Sequence, residues 1–269
     1  MQKEEITAIF DKQASSYDQQ WSQMAPINSA LHLLTGAVLS KLPATANILC
    51  VGSGTGAEIL YLAQKFPGWR FTAVEPSTAM LGVFRQKAQE HGILARCVLH
   101  SGYLESLSSN ETFDAATAFL VSQFILDRGL RSEFFRRIAS LLRPHGTLVC
   151  SDLAGDMHSS DSQNLLEVWF QLMRDSSISL EDIERLRKAY TSDVAVLPPH
   201  DVRDIIMRGG FESPMPFFQV GMIHAWYAKQ SPAQAEGVDA GRGEYREVWF
   251  QPDERWQASS DWRCRYQFP

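Results

Sequence analysis

The sequence predicts an α/β fold built on a mostly parallel sheet with helices on both faces. Between residues 47 and 152, short apolar runs alternate with segments of helical spacing, which is typical of repeated strand–helix units. The apolar runs are continuous and lack in/out alternation, as expected for strands covered on both faces. A glycine-rich turn follows the first run, so the first strand is expected to lead directly into a helix.

The first five strands and the helices between them follow in order. The strand runs are at 47–51, 71–74, 95–99, 113–119 and 147–150. A helix over 57–66 is expected to stop at Pro67-Gly68, and Ser77 is expected to cap the helix that runs through Phe84. The last helix of this region, through Phe134 and Leu142, is expected to end at 144–146, where a proline and a glycine interrupt it.

The remaining elements complete the sheet. Two helical stretches over 161–191 interrupt the alternation, and a further helix is expected over 199–208. Apolar runs at 216–220 and 222–228, separated by Gly221, predict an antiparallel hairpin at a sheet edge. The expected sheet therefore has seven strands, six parallel and one reversed.

Four segments are expected along the chain. Residues 1–46 should form N-terminal cap helices, and 47–230 the main domain, with a helical lid insertion at about 155–195. From 231 to 269 the composition shifts to Ser, Pro, Gln, Gly and charged residues without periodicity. Among the aromatic residues of this tail, those that are candidates to anchor it are Trp249, Phe250, Trp256, Trp262 and Tyr266.

Composition and charge narrow the class of protein. The formal net charge of -6 and the pI near 5.7 argue against binding nucleic acid by bulk electrostatics, although a local basic patch stays open. The chain has no apolar stretch long enough for a membrane span and no secretory pattern at its start. Cys50, Cys97 and Cys150 lie in strand-like runs and form no CxxC pair with Cys264. We therefore expect a soluble, cytoplasmic protein with reduced cysteines.

A glycine-rich loop and an acid downstream of it carry the chemistry. Gly52, Gly54 and Gly56 stand at alternate positions directly after a strand and before a helix. They let the backbone turn sharply and let a ligand approach the main chain beside the helix N-terminus. Glu75, at the end of the second strand, is placed to accept hydrogen bonds from both hydroxyls of a ribose. The loop and this acid together predict a nucleoside-containing cofactor.

The chain resembles class I S-adenosylmethionine-dependent methyltransferases over about residues 8–229. Six segments carry the resemblance in the family's order: Phe10–Asp18 (FDKQASSYD), Ile48–Gly56 (ILCVGSGTG), Val74–Ser77 with Met80, Ser101–Leu104 (SGYL), Phe113–Ala116 (FDAA) and Leu142–Leu148 (LRPHGTL). The GxGxG spacing distinguishes this family from nicotinamide-dependent oxidoreductases. The resemblance implies the Rossmann-like methyltransferase fold, S-adenosylmethionine as cofactor and methyl transfer to a small or medium-sized acceptor enclosed by the lid.

The resemblance also implies which residues hold the cofactor. The implied set is Tyr17, Gly52, Ser53, Gly54, Thr55, Gly56, Glu75, Pro76, Ser77, Met80, Gly102, Tyr103, Leu104, Phe119 and Leu120. At two positions the chain departs from the family, which usually has an acid at Cys50 and often one at Tyr103. The loss of both acids removes polar partners of a charged cofactor, and Tyr103 is a candidate to compensate by stacking on adenine. These departures leave open a domain that kept the fold and lost the cofactor.

Few residues are candidates for the catalytic end of the site. Tyr17 belongs to the segment that many family members fold over the cofactor, and Gln123 is polar in an apolar run after the fourth strand. The stripe of Trp169, Phe170 and Met173 in the lid is either part of a substrate cavity or, as its helical spacing favours, core packing. The histidines are isolated, so no metal site is expected.

Two other functions stay open. The lid run Glu184–Tyr190 is similar to carboxy-S-adenosylmethionine synthases of tRNA modification, in which an arginine matching Arg187 pairs with the extra carboxylate. The third function is a non-catalytic binding or scaffold module that uses the lid and the aromatic tail as a partner surface. The sequence does not define the acceptor or the oligomeric state.

Overall fold

The computed structural model describes residues 3–108, 112–174 and 180–231. Its strands are Asn47–Val51 (β1), Arg70–Glu75 (β2), Cys97–Ser101 (β3), Phe113–Phe119 (β4), Leu142–Leu153 (β5), Phe211–Val220 (β6) and Ile223–Gln230 (β7). Its helices are Lys3–Gln13 (α1), Tyr17–Gln20 (α2), Ala25–Val38 (α3), Ala57–Lys65 (α4), Thr78–Glu90 (α5), Arg128–Leu141 (α6), Ser160–Arg174 (α7), Leu180–Ser192 (α8) and Pro199–Arg208 (α9). The predicted tail, beyond Ser231, lies outside these ranges.

The described strands form one seven-stranded sheet in the order β3-β2-β1-β4-β5-β7-β6. Strands β1 to β5 pair in parallel, and β7 is antiparallel to both of its neighbours. The predicted sheet of six parallel strands and one reversed strand is confirmed, as is the hairpin around Gly221. Because β1 lies between β2 and β4, the connections after β1 and β4 diverge and leave a crevice at the carboxyl ends of these strands.

Both faces of the sheet are covered, which explains the continuous apolar runs. Alternate residues of β1 enter opposite cores: Leu49 packs with Phe135 and Ile205 from α6 and α9, whereas Ile48 packs with Ile59 and Phe84 from α4 and α5. At roughly 25 cal/mol per Å² of apolar surface removed from water, these two cores supply most of the driving force for folding. They also fix the strand ends on which the crevice depends.

The insertion between β5 and α9 forms a third cluster of its own. Trp169, Phe170 and Met173 of α7 are buried against Leu153 and other residues at the end of the sheet. The Trp169 indole N–H donates to the Tyr190 hydroxyl of α8 at 3.0 Å, so the two helices are joined inside the cluster. Core packing, which the helical spacing favoured for this stripe, is confirmed.

Several predicted strand boundaries move, and the new starts of the fifth and third strands have physical reasons. The fifth strand begins at Leu142 instead of Thr147, because Leu142 already pairs with Phe113 and Pro144 cannot continue the preceding helix. The third strand begins at Cys97, because residues Leu94–Arg96 form a 3-10 turn. The Arg96 guanidinium in that turn donates to carbonyl oxygens of α4 and of the α4–β2 connection, which ties the turn to these elements.

Candidate cofactor site

A cavity of about 500 Å³ lies in the crevice at the carboxyl ends of β1, β2 and β4. Thirteen of the residues predicted to hold a cofactor line it: Tyr17, Gly52, Ser53, Gly54, Thr55, Glu75, Pro76, Met80, Gly102, Tyr103, Leu104, Phe119 and Leu120. Gly56 and Ser77 are outside the lining: Gly56 packs against Phe84, and the Ser77 N–H donates to Glu75. The topology therefore brings most of the predicted set, which is scattered over about a hundred positions of sequence, to one cavity.

The three loop glycines have left-handed backbones, with φ of 68° at Gly52, 53° at Gly54 and 79° at Gly56. A Cβ atom would lie 2.3 Å from the Val121 side chain at Gly52 and 1.9 Å from the Phe84 ring at Gly56. At Gly54 a Cβ atom would meet nothing within 4 Å. Gly52 and Gly56 are thus required by packing, whereas Gly54 presents bare backbone to the open cavity.

We expect Gly56→Ala to lower the free energy of unfolding by about 2–3 kcal/mol, since it adds a clash with Phe84 to the cost of a left-handed alanine. Gly54→Ala is the matched control, because it carries the same backbone cost without a clash and should lose about 1 kcal/mol. Urea unfolding of both variants measures the difference. Equal losses would show that Phe84 moves aside at no cost.

Glu75 joins the loops that follow β1 and β2. Its carboxylate accepts hydrogen bonds from the Gly54 N–H at 3.0 Å and from the Ser77 N–H at 2.9 Å, and the side chain is buried. Burial raises the pKa of Glu75, and the two N–H donors counteract part of that rise. The acid predicted to bind ribose therefore lies beside the bare backbone of Gly54, at the cavity wall.

The N-terminal helices are fastened over the cavity by the two acids of the FDxxAxxYD segment. Asp11 accepts from the Ser77 hydroxyl at 2.6 Å and the Ala79 N–H at 3.2 Å. Asp18 accepts from the Thr55 hydroxyl at 2.8 Å and forms an ion pair with Lys87. These contacts tie α1 and α2 to the glycine loop and to the start of α5, where Ser77 caps the helix as predicted.

Tyr17 and Tyr103 face the cavity from opposite elements. Burial, together with the charges of Glu75 and Asp18, raises the pKa of Tyr17 to about 12, so its phenol stays protonated at neutral pH and keeps a proton to donate. The Tyr103 hydroxyl donates to the Lys3 carbonyl oxygen at 2.6 Å, and the Lys3 ammonium lies 4.6 Å from the centre of the Tyr103 ring. Tyr103 therefore anchors α1 at the position where the family often has an acid.

Gln123 lies elsewhere than the sequence predicted. It is buried outside the cavity lining, and its side-chain oxygen accepts from the Leu153 N–H at 2.7 Å. Its backbone N–H donates to Asp152 at 2.9 Å. The amide therefore satisfies the backbone at the end of β5, which explains a polar residue in an apolar run without a catalytic role.

Arg187 also lies outside the cavity lining. Two guanidinium nitrogens donate to the Glu167 carboxylate of α7, at 2.6 and 3.2 Å, and the guanidinium carbon lies 4.4 Å from the centre of the Phe170 ring. The arginine thus joins α8 to α7. The structure corrects the expectation that it reaches a ligand carboxylate.

A buried ion pair holds the loop after β4 behind the cavity. Arg131 of α6 and Asp152 of β5 are fully buried, with 3.0 Å between guanidinium nitrogen and carboxylate oxygen. The Ser122 hydroxyl donates to Asp152 at 2.7 Å and accepts from Arg131 at 2.8 Å. The Arg131 side chain also donates to the Ala195 carbonyl oxygen, so the network reaches the end of the insertion.

Asn28, His32 and Glu58 are three of the polar residues that line the cavity without having been predicted from the sequence. Asn28 and His32 project from α3 one turn apart, and Glu58 is the second residue of α4. Burial lowers the pKa of His32 to about 4, so its ring is neutral at pH 7. The i, i+4 spacing of two polar residues in an apolar helix was a usable signal for Asn28 and His32. The direction of Glu58 depends on tertiary packing.

Within the described ranges, no three His, Cys, Asp or Glu side chains come together as a metal site would require. The helices in the same ranges are too short or too polar for a membrane crossing. Cys50, Cys97 and Cys150 are free thiols.

Comparison with known families and proteins agrees with this geometry. Residues 48–146 match the family model described as a methyltransferase domain. The chain is 26% identical over 174 residues to an arsenite methyltransferase of Aquipseudomonas alcaligenes, covering 63% of this chain and only 50% of that protein. It is 23% identical over 230 residues to a carboxy-S-adenosyl-L-methionine synthase of Campylobacter concisus, covering 84% of this chain and 97% of that one.

Solved structures share the fold at low sequence identity. The N-methyltransferase NodS of Bradyrhizobium japonicum, in complex with S-adenosyl-L-homocysteine, has a TM-score of 0.52 and 15% identity over 76% of this chain and 86% of its own. An O-methyltransferase family protein of Burkholderia thailandensis has a TM-score of 0.53 and 13% identity over 77% of this chain and 59% of its own. At these identities the likeness establishes the Rossmann-like methyltransferase fold, as the sequence predicted.

Proposed function

We propose, from the match of residues 48–146 to a methyltransferase domain and from the order of the sheet, that the protein binds S-adenosylmethionine in the cavity and transfers its methyl group directly to a small or medium-sized acceptor. One observation carries the proposal above the others. The bare backbone of Gly54 and the carboxylate of Glu75 lie side by side on the wall of one cavity.

The residues of the cavity fit this cofactor. The space that a Cβ atom of Gly54 would fill is open, and the Ser53 hydroxyl is buried without a hydrogen-bond partner in the described part of the chain. Glu75 is assigned to the ribose hydroxyls, and Gly102, Tyr103 and Leu104 to the adenine. A cavity of about 500 Å³ suits a nucleoside cofactor with a small acceptor, given that ligand pockets span roughly 300–1,000 Å³.

The chain needs to supply alignment and exclusion of water more than acid–base chemistry. When bound, S-adenosylmethionine supplies a methyl group already activated by its sulfonium sulfur. Tyr17, Asn28 and His32 are the polar groups assigned to the acceptor, with Phe119 and Leu120 forming apolar walls. Neutral His32 can accept a hydrogen bond from an acceptor hydroxyl or amine, and the protonated Tyr17 phenol can donate one.

The placement of Arg187 favours methyl transfer over synthesis of carboxy-S-adenosylmethionine. Two nitrogens of its guanidinium group donate to Glu167, and the guanidinium lies over the Phe170 ring, so the arginine joins the two helices of the insertion. The intact glycine loop and Glu75 argue for a functional site and against a scaffold module that lost its ligand. The proposal includes a small-molecule acceptor. It also includes a reducing, cytoplasmic location, with which the free and buried thiols of Cys50 and Cys150 agree.

Two measurements on the purified chain test the proposal. Mass spectrometry of small molecules released by denaturation should detect S-adenosylmethionine or S-adenosylhomocysteine, and isothermal titration calorimetry should show that added S-adenosylhomocysteine binds at one site per chain. A carboxylated form of the cofactor would favour the synthase instead. An empty protein that binds neither compound at millimolar concentration would overturn the proposal.

A further inference from the structure

The first motif of this chain lacks the acid that the family usually has at Cys50. The Cys50 side chain is fully buried in β1, and burial raises the pKa of its thiol well above the usual range. A neutral thiol cannot balance a positive charge on a ligand. A ligand with an ammonium group therefore needs its anionic partner from another residue near this strand.

Glu58 places a carboxylate in that region. It is the second residue of α4, is 8% exposed, and lines the cavity. One carboxylate oxygen accepts from the Thr117 hydroxyl of β4 at 2.8 Å, and the Cys50 thiol of β1 lies close to the same side chain. The carboxylate is thereby held next to the position that the missing acid would occupy.

This carboxylate has no cationic partner among the residues that the structure describes. A buried carboxylate without a counter-charge is costly, and the N-terminus of α4 offsets only part of that cost. Glu75, the other buried acid of the cavity, is held by two backbone N–H groups, whereas Glu58 has none. The geometry leaves Glu58 open to a cation that arrives with the ligand.

We propose that Glu58 binds the ammonium group on the amino-acid portion of the cofactor and takes over the task of the acid absent at Cys50. The inference rests on the proposed function and adds a binding residue outside the family's first motif. In this chain the acid stands on the helix that follows the strand, and it lines the cavity.

The pH dependence of binding follows from the surroundings of Glu58. Burial raises its pKa to about 7, and the titratable group packed against it from β1 is Cys50, with Cys97 of β3 beyond. Only the ionised carboxylate attracts an ammonium group. The affinity should therefore rise about tenfold between pH 6 and pH 8, as the ionised fraction of Glu58 rises through that pKa.

The test compares Glu58→Gln with the wild-type chain against two ligands by isothermal titration calorimetry. S-adenosylhomocysteine carries the ammonium group, and 5′-methylthioadenosine has the same nucleoside without the amino-acid portion. We expect the variant to bind S-adenosylhomocysteine about ten- to hundredfold more weakly, with the affinity for 5′-methylthioadenosine within twofold of wild type. The rise in affinity from pH 6 to pH 8 should disappear.

Controls separate charge and folding from binding. Glu90→Gln removes an exposed acid of α5 and should leave both affinities unchanged. The Glu58→Gln side chain keeps an oxygen that can accept from the Thr117 hydroxyl. Because the pKa of Glu58 is raised in the folded chain, its ionised form destabilises the fold above pH 7. The melting temperature of Glu58→Gln at pH 8 should therefore be no lower than that of wild type. Adding Cys50→Asp to this variant should restore part of the lost affinity.

The outcomes distinguish this inference from the proposed function. If wild type binds S-adenosylhomocysteine and Glu58→Gln binds it equally well, the inference is wrong and the proposed function stands. An equal loss of affinity for both ligands would give Glu58 a structural role and overturn the inference as well. If wild type binds neither ligand, the proposed function fails first and the inference falls with it.

Discussion

Replacing Asp152 by Ala is expected to lower the free energy of unfolding by about 3–5 kcal/mol, the largest loss of stability that we expect from a single substitution in this chain. The substitution leaves the Arg131 guanidinium fully buried without its counter-charge. It also removes the acceptor for the Ser122 hydroxyl and the Gln123 N–H. Urea unfolding followed by circular dichroism measures the change.

Two further variants identify the origin of that loss. Asp201→Ala breaks the exposed ion pair with Arg128 and should cost less than about 1 kcal/mol. The double variant Arg131→Met with Asp152→Leu removes both charges and should recover most of the stability, because no uncompensated charge remains. A loss under about 1 kcal/mol for Asp152→Ala would show that water or a rearranged loop solvates Arg131.

Replacing Glu75 by Ala should weaken the binding of S-adenosylhomocysteine by about a hundredfold or more. The carboxylate is assigned to two ribose hydroxyls, and each charge-assisted hydrogen bond contributes about 1.5–3 kcal/mol when the alternative is an unsatisfied group. The same carboxylate also holds the Gly54 and Ser77 N–H groups, so the loops around the cavity lose their shared acceptor. Calorimetric titration of the variant measures the effect.

A nearby acid provides the comparison for Glu75. Glu105 lies at the same cavity and forms an exposed ion pair with Lys3, with 61% of its side chain accessible. Glu105→Gln should change the affinity by less than about threefold, since exposed pairs contribute little. Similar losses in the two variants would mean that the general negative potential of the cavity, and not the assigned ribose contact, governs binding.

The sheet and the glycine loop could be predicted because local sequence specifies them. The apolar runs, the turn after β1 and the Ser77 cap depend on neighbouring residues, and the order of these elements then implies the crevice. Glu75 followed from its place at a strand end beside that crevice. The start of β5 could not be predicted in the same way, because it depends on the pairing of Leu142 with Phe113 across the sheet.

The site was less predictable where a polar residue can serve either the backbone or a ligand. Gln123 satisfies the Leu153 N–H and Arg187 satisfies Glu167, and neither partner is evident from spacing along the chain. Glu58 shows the converse. It lies in the first turn of α4, where an acid ordinarily stays exposed to solvent and interacts favourably with the helix dipole. Only the packing of α4 on β1 and β4 directs this side chain inward.

The last strand in the sheet order, β6, has a consequence for contacts between copies of the chain. Pro214 and Pro216 lack N–H groups, Ser213 has a left-handed backbone with φ of 42°, and the register with β7 shifts twice. Among the described strands, β6 has a neighbour only in β7, and an incoming strand would meet missing donors and a kinked backbone along its other side. The protein is thus protected at β6 against the edge-to-edge strand pairing that starts aggregation.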